Sequence, residues 1–464
     1  MNRRLVSSAL LVAGLTAACG DSEFQPAWEE GSPPPNILFL SIDTLRTDHL
    51  GYDGYEKPTS PNIDAWAETA MIFDSAQASA SWTLPGLATA LTGTYCSTHR
   101  CWGFGDRLDN SFPTVTELLL GAGYDTACVT SHIFLATRYG LQQGFVHFDD
   151  SFAHPEVDPK DSVTSEMVSD KGIEFLEQKA AVADDAPWLL WLHYFDPHDT
   201  YVEHEGFSEP FLTDTTDHTT RELELYDGEI RFTDFHVGRV LDKLRETGLA
   251  EDTIIVFFSD HGEEFKDHDG VRHGHHLWRE LCRVPFVIGG PGITAGRHAG
   301  TVRTVDLLPT VLDLAGLADR IPEGIPGMSL APVLTGDSAA HATSTSLAEI
   351  QLSPQNKYKS YVDGPWKLIW HFAPGDVRQD DVIQLFNLET DPLETTDLAT
   401  TETEIAESMK ARLTKAFGDA LSFGNSFEHS VGVDLSGADR KMLSDLGYLG
   451  DGQQARGAGG EEGQ

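Results

Sequence analysis

Asn36-Ile37-Leu38-Phe39-Leu40-Ser41-Ile42-Asp43 is the stretch that decides the fold class. A near-continuous apolar run marks a strand buried on both faces, and this one stops abruptly on a carboxylate. The pattern recurs twice: residues 188–195 (WLLWLHYF) run into Asp196, and residues 253–259 (TIIVFFS) run into Asp260-His261. Residues 283–288 (RVPFVI) supply a fourth apolar strand. Between these runs, helical spacing of apolar residues predicts helices over 61–70, 114–120, 166–178, 221–246 and 305–315. Strand and helix alternate to about residue 320, so the class is α/β, with a mainly parallel sheet between helices. Such sheets bind ligands beyond the C-terminal ends of their strands, where Asp43, Asp196 and Asp260 are delivered. Each Asp taken singly also reads as a helix cap.

The remainder of the chain divides around this core. Residues 320–345, rich in Pro, Gly, Ser, Thr and Ala, read as a loop-rich connection. Beyond it, 359–369 and 382–386 predict a small antiparallel unit, followed by a helix over 403–417. The expected organisation is a main domain over 36–335, a small C-terminal α+β subdomain over 336–450 and a disordered tail over 451–464. At the start, Arg3-Arg4 precede an uncharged run over 5–18, too short to span a membrane comfortably and flanked as in a signal peptide. The small residues before Cys19 resemble a bacterial lipobox. Residues 1–18 are therefore expected to be a lipoprotein signal peptide and Cys19 the lipidated first residue. The alternative is an ordinary signal peptide that contains a cysteine. Residues 19–35 would be a tether, and the protein would be exported and lipid-anchored in the bacterial cell envelope, at the periplasm or the cell surface.

The balance of 32 Lys+Arg against 73 Asp+Glu gives a formal charge of −41, which disfavours a general basic surface for nucleic acid or anionic membrane. Cys96 and Cys101 are near enough in sequence to bridge, and the absence of any CxxC pair disfavours a thiolate zinc cluster.

Two local patterns point to chemistry. In residues 81–93 (SWTLPGLATALTG), Pro85 suits the first helical turn and Thr92-Gly93 a stop. A hydroxyl just before that helix either caps it or faces an anion at its N-terminus. In Ser259-Asp260-His261-Gly262-Glu263, a strand end offers one hard oxygen and one imidazole, a pair suited to zinc or manganese. His273-Gly274-His275-His276 follows and leads straight back into the sheet, so His273 or His275 is expected to contact a ligand or substrate.

The order of these pieces resembles the sulfatase-like branch of the alkaline phosphatase superfamily. The resemblance rests on NILFLSIDTLRTDHLGYDGY (36–55), TSPNIDAWAETAMIFDSAQA (59–78), WTLPGLATALTG (82–93), HYFDPH (193–198), SDHGEEF (259–265) and HGHHLWRELCRVPF (273–286). GPWKLI, LFNLETDPLE and the ending LSDLGYLG (443–450) extend it over almost the whole mature chain. It implies an alkaline-phosphatase-like core in which Asp43, Thr83, Asp260 and His261 surround a divalent metal (zinc, manganese or calcium), with Thr83 at the nucleophile position. It further implies that Asp196, His198, His273 and His275 contact substrate or a second metal, His198, His273 and His275 being candidates to protonate the leaving oxygen.

The chain departs from the sulfatase signature C/S-x-P-x-R, whose Cys or Ser becomes formylglycine. Here the stretch is Thr83-Leu84-Pro85-Gly86-Leu87, so no formylglycine is expected, and Leu87 replaces the arginine. Thr44 replaces the second of the family's tandem aspartates, and the family's next Lys and His would fall near Ser131 and Ile133. Thr200 stands four residues after Asp196, where some relatives carry a second-metal histidine. A threonine nucleophile is typical of the superfamily's phosphodiesterases and transferases. The expected activity is hydrolysis of a phosphodiester or phosphonate, or of a sulfate ester, on a small-molecule, glycan or lipid substrate. The alternatives are a sulfatase working without formylglycine and a non-catalytic, metal-retaining surface protein. His204, His218, Arg100 and Arg107 could contact an anionic ligand, but read first as exposed, solvated side chains.

Overall fold

The computed structural model describes residues 33–152, 164–182, 186–337, 345–352, 357–372, 382–430 and 432–445. Six strands come first: β1 (Asn36–Ile42), β2 (Met71–Gln77), β3 (Asp125–Thr130), β4 (His147–Asp149), β5 (Trp188–Tyr194) and β6 (Thr253–Phe258). A short ribbon, β7 (Glu264–Phe265) with β8 (Val271–Arg272), follows, and β9 (Phe286–Gly289) and β10 (Gly296–Arg303) complete an eight-stranded sheet ordered β10-β2-β9-β6-β1-β5-β3-β4. Among these pairings only β9 runs antiparallel to its neighbours, β6 and β2. The expected mainly parallel α/β fold is the observed one.

The apolar runs are explained by burial on both faces. Ile37 and Phe39 of β1 enter one core, while Leu38, Leu40 and Ile42 enter the other. The same alternation sends Leu189 and Trp191 of β5 one way and Leu190, Leu192 and Tyr194 the other. α1 (Pro61–Ala67) lies on the Leu38 side, and α2 (Thr83–Thr92) and α4 (Val115–Leu120) on the Phe39 side, with α3 (Cys96–His99) beside α2. α5 (Ser165–Ala181) and α6 (His218–Glu246) join α1, whereas α7 (Arg279–Cys282), α8 (Leu307–Leu314) and α9 (Ala331–Leu334) join α2.

The antiparallel unit has four strands, β11 (Thr345–Gln351), β12 (Lys357–Asp363), β13 (Trp366–His371) and β14 (Val382–Asn387), paired in sequence order. The stretch expected over 359–369 is thus a hairpin, turned at Gly364 with φ 57. α10 (Thr403–Gly424) packs on this sheet through Ala406, Met409 and Leu413, and runs longer than expected. α11 (Gly437–Asp445) returns Met442 and Leu443 to the main core.

Other boundaries also move. α6 starts at His218 because Asp217 caps it, accepting from Thr220 N at 2.8 Å. α8 starts at Leu307 because Arg303 N donates to Asp306 Oδ2 at 3.0 Å and closes a preceding turn. Cys96, Cys101, Cys128 and Cys282 are all buried free thiols, so the bridge considered between Cys96 and Cys101 is not formed. Residues 1–18, Cys19 and residues 451–464, on which the signal-peptide, lipidation and tail expectations fall, lie outside the described residues. Among the described residues no helix is long and apolar enough to cross a membrane.

One buried ion pair ties β11 to β12 and both to α3. Lys359 Nζ donates to Glu349 Oε2, and Glu349 Oε1 accepts from Ser97 N at 2.9 Å, with both charged side chains fully buried. Lys359→Met is expected to destabilise the protein by about 3–5 kcal/mol in urea unfolding, because it strands a buried carboxylate. Adding Glu349→Leu should recover most of that loss.

Candidate active site

Parallel pairing of β1 with β6 brings their ends together, Ser41 lying opposite Phe258 in register. The residues that follow, Asp43 and Asp260-His261, therefore converge. Metal-ligating atoms of Asp43, Asp260 and His261 all lie within 4.8 Å of one another, in full burial. His261 Nε2 is 3.5 Å from Asp43 Oδ1 and 3.6 Å from Asp260 Oδ2. Its Nδ1–H donates to the Gly262 carbonyl at 2.9 Å, which directs Nε2 at the two carboxylates.

The electrostatics of this group call for a cation. Burial and the neighbouring Asp260 carboxylate push the Asp43 carboxyl well above its usual range. Burial alone would lower His261, but the carboxylates of Asp260 and Asp43 raise it. Both Asp43 oxygens and Asp260 Oδ2 are buried without a hydrogen-bond partner. Buried polar atoms are rarely left in that state, and a divalent ion would satisfy all three. The donor set fits one.

The turn that carries Asp43 onward is strained and clamped. Thr44, a β-branched residue, takes φ 53. Tyr226 holds the turn on both sides, its hydroxyl donating to Thr44 O at 2.8 Å and accepting from Arg46 N at 2.9 Å.

Thr83 is the first residue of α2, and Trp82 holds the cap position without a side-chain cap. The helix-cap reading of Thr83 is thereby removed. Its Oγ1 lies 3.3 Å from His261 Nε2 instead. Pro85 falls on the third helical residue, still within the turn whose N–H groups have no helical partner, and Gly93 ends the helix in the left-handed region with φ 64. Gly86 sets the helix against the carboxylates. A Cβ there would meet the Asp260 carbonyl at 2.9 Å, closer than backbone tolerates. Gly86→Ala is expected to cost about tenfold or more in kcat/KM by moving Thr83 away from Asp260. The check is to compare that loss with the shift in Tm, which should be modest.

The histidines separate by position. Gly274, at φ 74, turns the loop between its neighbours and donates to Ser81 O at 2.8 Å. His273 points inward, its ring centroid 4.5 Å from that of His261 and 4.9 Å from that of His198, with Nδ1 on Glu263 Oε1 at 3.1 Å. His275 turns the other way and pairs with Glu264 at 2.7 Å. His198 stacks on Phe195 with centroids 4.5 Å apart and donates from Nδ1 to Asp199 O at 2.6 Å. Burial, reinforced by neighbouring imidazoles, holds both His198 and His273 well below the usual histidine range.

Asp196 is not brought to the group. Its Oδ2 accepts from Thr164 N, Ser165 N and Ser165 Oγ at 3.1, 2.8 and 2.6 Å, and so holds the start of α5. Among the described residues no second set of three metal-ligating side chains gathers, around Asp196 or elsewhere. Of the exposed candidates, Arg100 bonds Asn425 at 2.6 Å and Arg107 bonds Asn110 at 3.4 Å. His218 pairs with Glu222 at 3.1 Å, and His204 is buried, stacked 4.0 Å from Phe232.

Two site residues escaped the sequence reading. Ser131 Oγ accepts from Phe195 N at 3.2 Å and Ile133 is core, but His132 between them places Nε2 3.6 Å from Asp43 Oδ2. His193 places its own Nε2 3.5 Å from the same oxygen, and burial lowers its pKa to about 4. The usable signal was strand alternation: counting back two from Phe195 puts His193 on the face of Trp191.

A sulfatase family model matches residues 35–317. The chain belongs to the sulfatase family. Among curated relatives, this sulfatase-family chain is 25% identical to choline-sulfatase of Rhizobium meliloti, over 79% of its own length and 82% of the relative's. It is 28% identical to an ulvan-active sulfatase of Formosa agariphila, over 70% of each chain. Among solved structures, the phosphonate monoester hydrolase of Agrobacterium radiobacter superposes with a TM-score of 0.68 at 21% identity, covering 84% of this chain and 96% of that one. The yidJ protein of Bacteroides fragilis gives 0.73 at 19% identity, covering 86% and 99%. The sulfatase-family chain is accordingly an ester hydrolase, of a family that typically uses a divalent metal.

Proposed function

We propose that this ester hydrolase cleaves phosphodiesters or phosphonate monoesters with Thr83 as nucleophile. The observation that carries the reading is the Thr83 hydroxyl, uncommitted to capping and 3.3 Å from His261 Nε2 beside two buried carboxylates. Asp43, Asp260 and His261 would hold a divalent ion, which lowers the pKa of a nearby hydroxyl and offsets charge on the transferred group. A donor set with an imidazole nitrogen suits zinc or manganese better than calcium. Thr83 Oγ1 would give up its proton and attack phosphorus, the ester oxygen would depart as the alcohol, taking up that proton by way of neutral His198 or His273, and water would then cleave the phosphothreonine. Formylglycine is not part of this scheme, since Thr83 stands where the family converts Cys or Ser and Leu87 where it has arginine. A sulfated threonine would lack the hemiacetal route by which formylglycine expels sulfate.

The natural ester would belong to a small molecule, glycan or lipid at the cell envelope, where acylated Cys19 anchors the protein. Cys19→Ala is expected to move the protein from the membrane to the soluble fraction. For the activity, the purified protein is assayed on an aryl phosphodiester, a phosphonate monoester and an aryl sulfate, each with zinc, manganese and calcium. Phosphodiester or phosphonate turnover above sulfate turnover supports the reading. Dominant sulfate turnover that disappears in Thr83→Ala overturns it in favour of a sulfatase without formylglycine. A metal-loaded protein that turns over none of the three is a binding protein.

A further inference from the structure

A buried polar chain leads to Asp43 from inside the sheet. Trp191 and His193 lie two residues apart on one face of β5, and Ser41 of β1 is the register partner of His193. Trp191 Nε1 donates to Ser41 Oγ at 2.8 Å, and Ser41 Oγ lies 2.7 Å from His193 Nδ1. Trp191, Ser41 and His193 are completely buried. The direction of the chain follows from donor arithmetic. An indole N–H can only donate, so Ser41 Oγ is an acceptor there, and the hydroxyl proton needs an acceptor of its own. His193 Nδ1 is the acceptor in reach, so Nδ1 is unprotonated and the ring proton sits on Nε2. That Nε2–H faces Asp43 Oδ2 at 3.5 Å.

A second imidazole meets the same oxygen. Phe134 N donates to His132 Nδ1 at 3.1 Å, so His132 also carries its proton on Nε2, which is 3.6 Å from Asp43 Oδ2. Asp43 Oδ1, in contrast, faces His261 Nε2 at 3.5 Å. Two N–H donors therefore approach Oδ2, while Oδ1 is the oxygen that faces His261. Neither donor is yet within hydrogen-bond distance, and both Nε2 atoms are without a hydrogen-bond partner.

We propose that the Trp191–Ser41–His193 chain is a positioning device that reserves Asp43 Oδ2 for imidazole donors and leaves Oδ1 alone to ligate the metal. This rests on the reading of Asp43, Asp260 and His261 as a metal centre. It compensates for Thr44, which cannot supply the second carboxylate expected after Asp43. With one aspartate at the strand end, its orientation matters more. Partners behind a ligand commonly contribute 10- to 100-fold in metal affinity.

The test is zinc and manganese titration of the metal-stripped full chain, with the melting temperature of the stripped form recorded alongside. Ser41→Ala alone would strand the Trp191 N–H, so the informative variant is Ser41→Ala with Trp191→Phe, which removes donor and acceptor together. It should weaken metal binding about 10- to 100-fold. His193→Gln, which keeps an N–H at similar reach, should bind within a few-fold of the parent, whereas His193→Leu should lose as much as the double variant. Nitrogen-15 NMR of labelled histidines should show His193 protonated on Nε2 in the stripped protein. Unchanged metal affinity in the double variant, or a proton on His193 Nδ1, overturns the positioning chain while leaving the metal centre intact. If His193→Gln loses as much as His193→Leu, His193 is a ligand and not a positioning residue. A parent protein that takes up no divalent ion overturns the metal centre and the chain with it.

Discussion

Thr83→Ala is expected to lower kcat/KM about 10⁴-fold or more on whichever ester is turned over, as losing a nucleophile does in enzymes with a covalent intermediate. The fold should survive. Trp82, not Thr83, occupies the cap position of α2, and the Thr83 hydroxyl makes no cap hydrogen bond whose loss would unravel the first turn. The stability cost should stay near that of an ordinary substitution, about 1 kcal/mol. Metal content should be largely retained, because Asp43, Asp260 and His261 remain. Thr83→Ser keeps an oxygen at the same place and should keep activity within about tenfold. Stopped-flow or quench measurements on the parent should show a burst and a phosphorylated Thr83. Thr83→Ala that retains most of the parent's activity would dismiss the residue as nucleophile.

Asp43→Asn should reverse sign between the metal-free and metal-loaded states. Without metal, two fully buried carboxylates face one another across His261, and burial together with Asp260 already drives the Asp43 carboxyl upward. Removing one of the two charges relieves both desolvation and repulsion, so the stripped variant should melt above the stripped parent. With metal present, the order inverts. The parent gains stability from the bound ion, about 2.7 kcal/mol when the free ion is at a hundred times its Kd, and the variant gains little. Activity should fall about 10³-fold or more, since the variant removes one of the three side chains proposed to hold the ion beside Thr83. Calorimetry with and without a chelator reads both signs in one experiment. A stripped variant that melts below the stripped parent would contradict the electrostatic account of the site.

The amino-acid order by itself determined the sheet and its business end. The runs ending on Asp43 and on Asp260-His261 are apolar on every face, so they can only be interior strands, and parallel strands put their last residues on one edge. Asp43, Asp260 and His261, which gather at the centre, are legible from those strand ends, and Thr83 from the motif order. The tertiary structure decided the rest, because one-dimensional order does not say where a side chain points. Asp196 ends a strand as Asp43 does, yet its carboxylate turns to the first N–H groups of α5. His193, three residues earlier and inside an apolar run, reads as core but aims at Asp43, since alternation puts it on the face of Ser41 and Trp191. His132, and not its likewise buried neighbours Ser131 and Ile133, faces Asp43, its Nε2 lying 3.6 Å from Oδ2. His273 and His275 differ only in which side of the left-handed Gly274 they occupy. Burial pattern is a property of the chain and survives in its order. Direction within the buried space depends on which strands become neighbours and how each turn leaves the sheet, and only the assembled fold sets those.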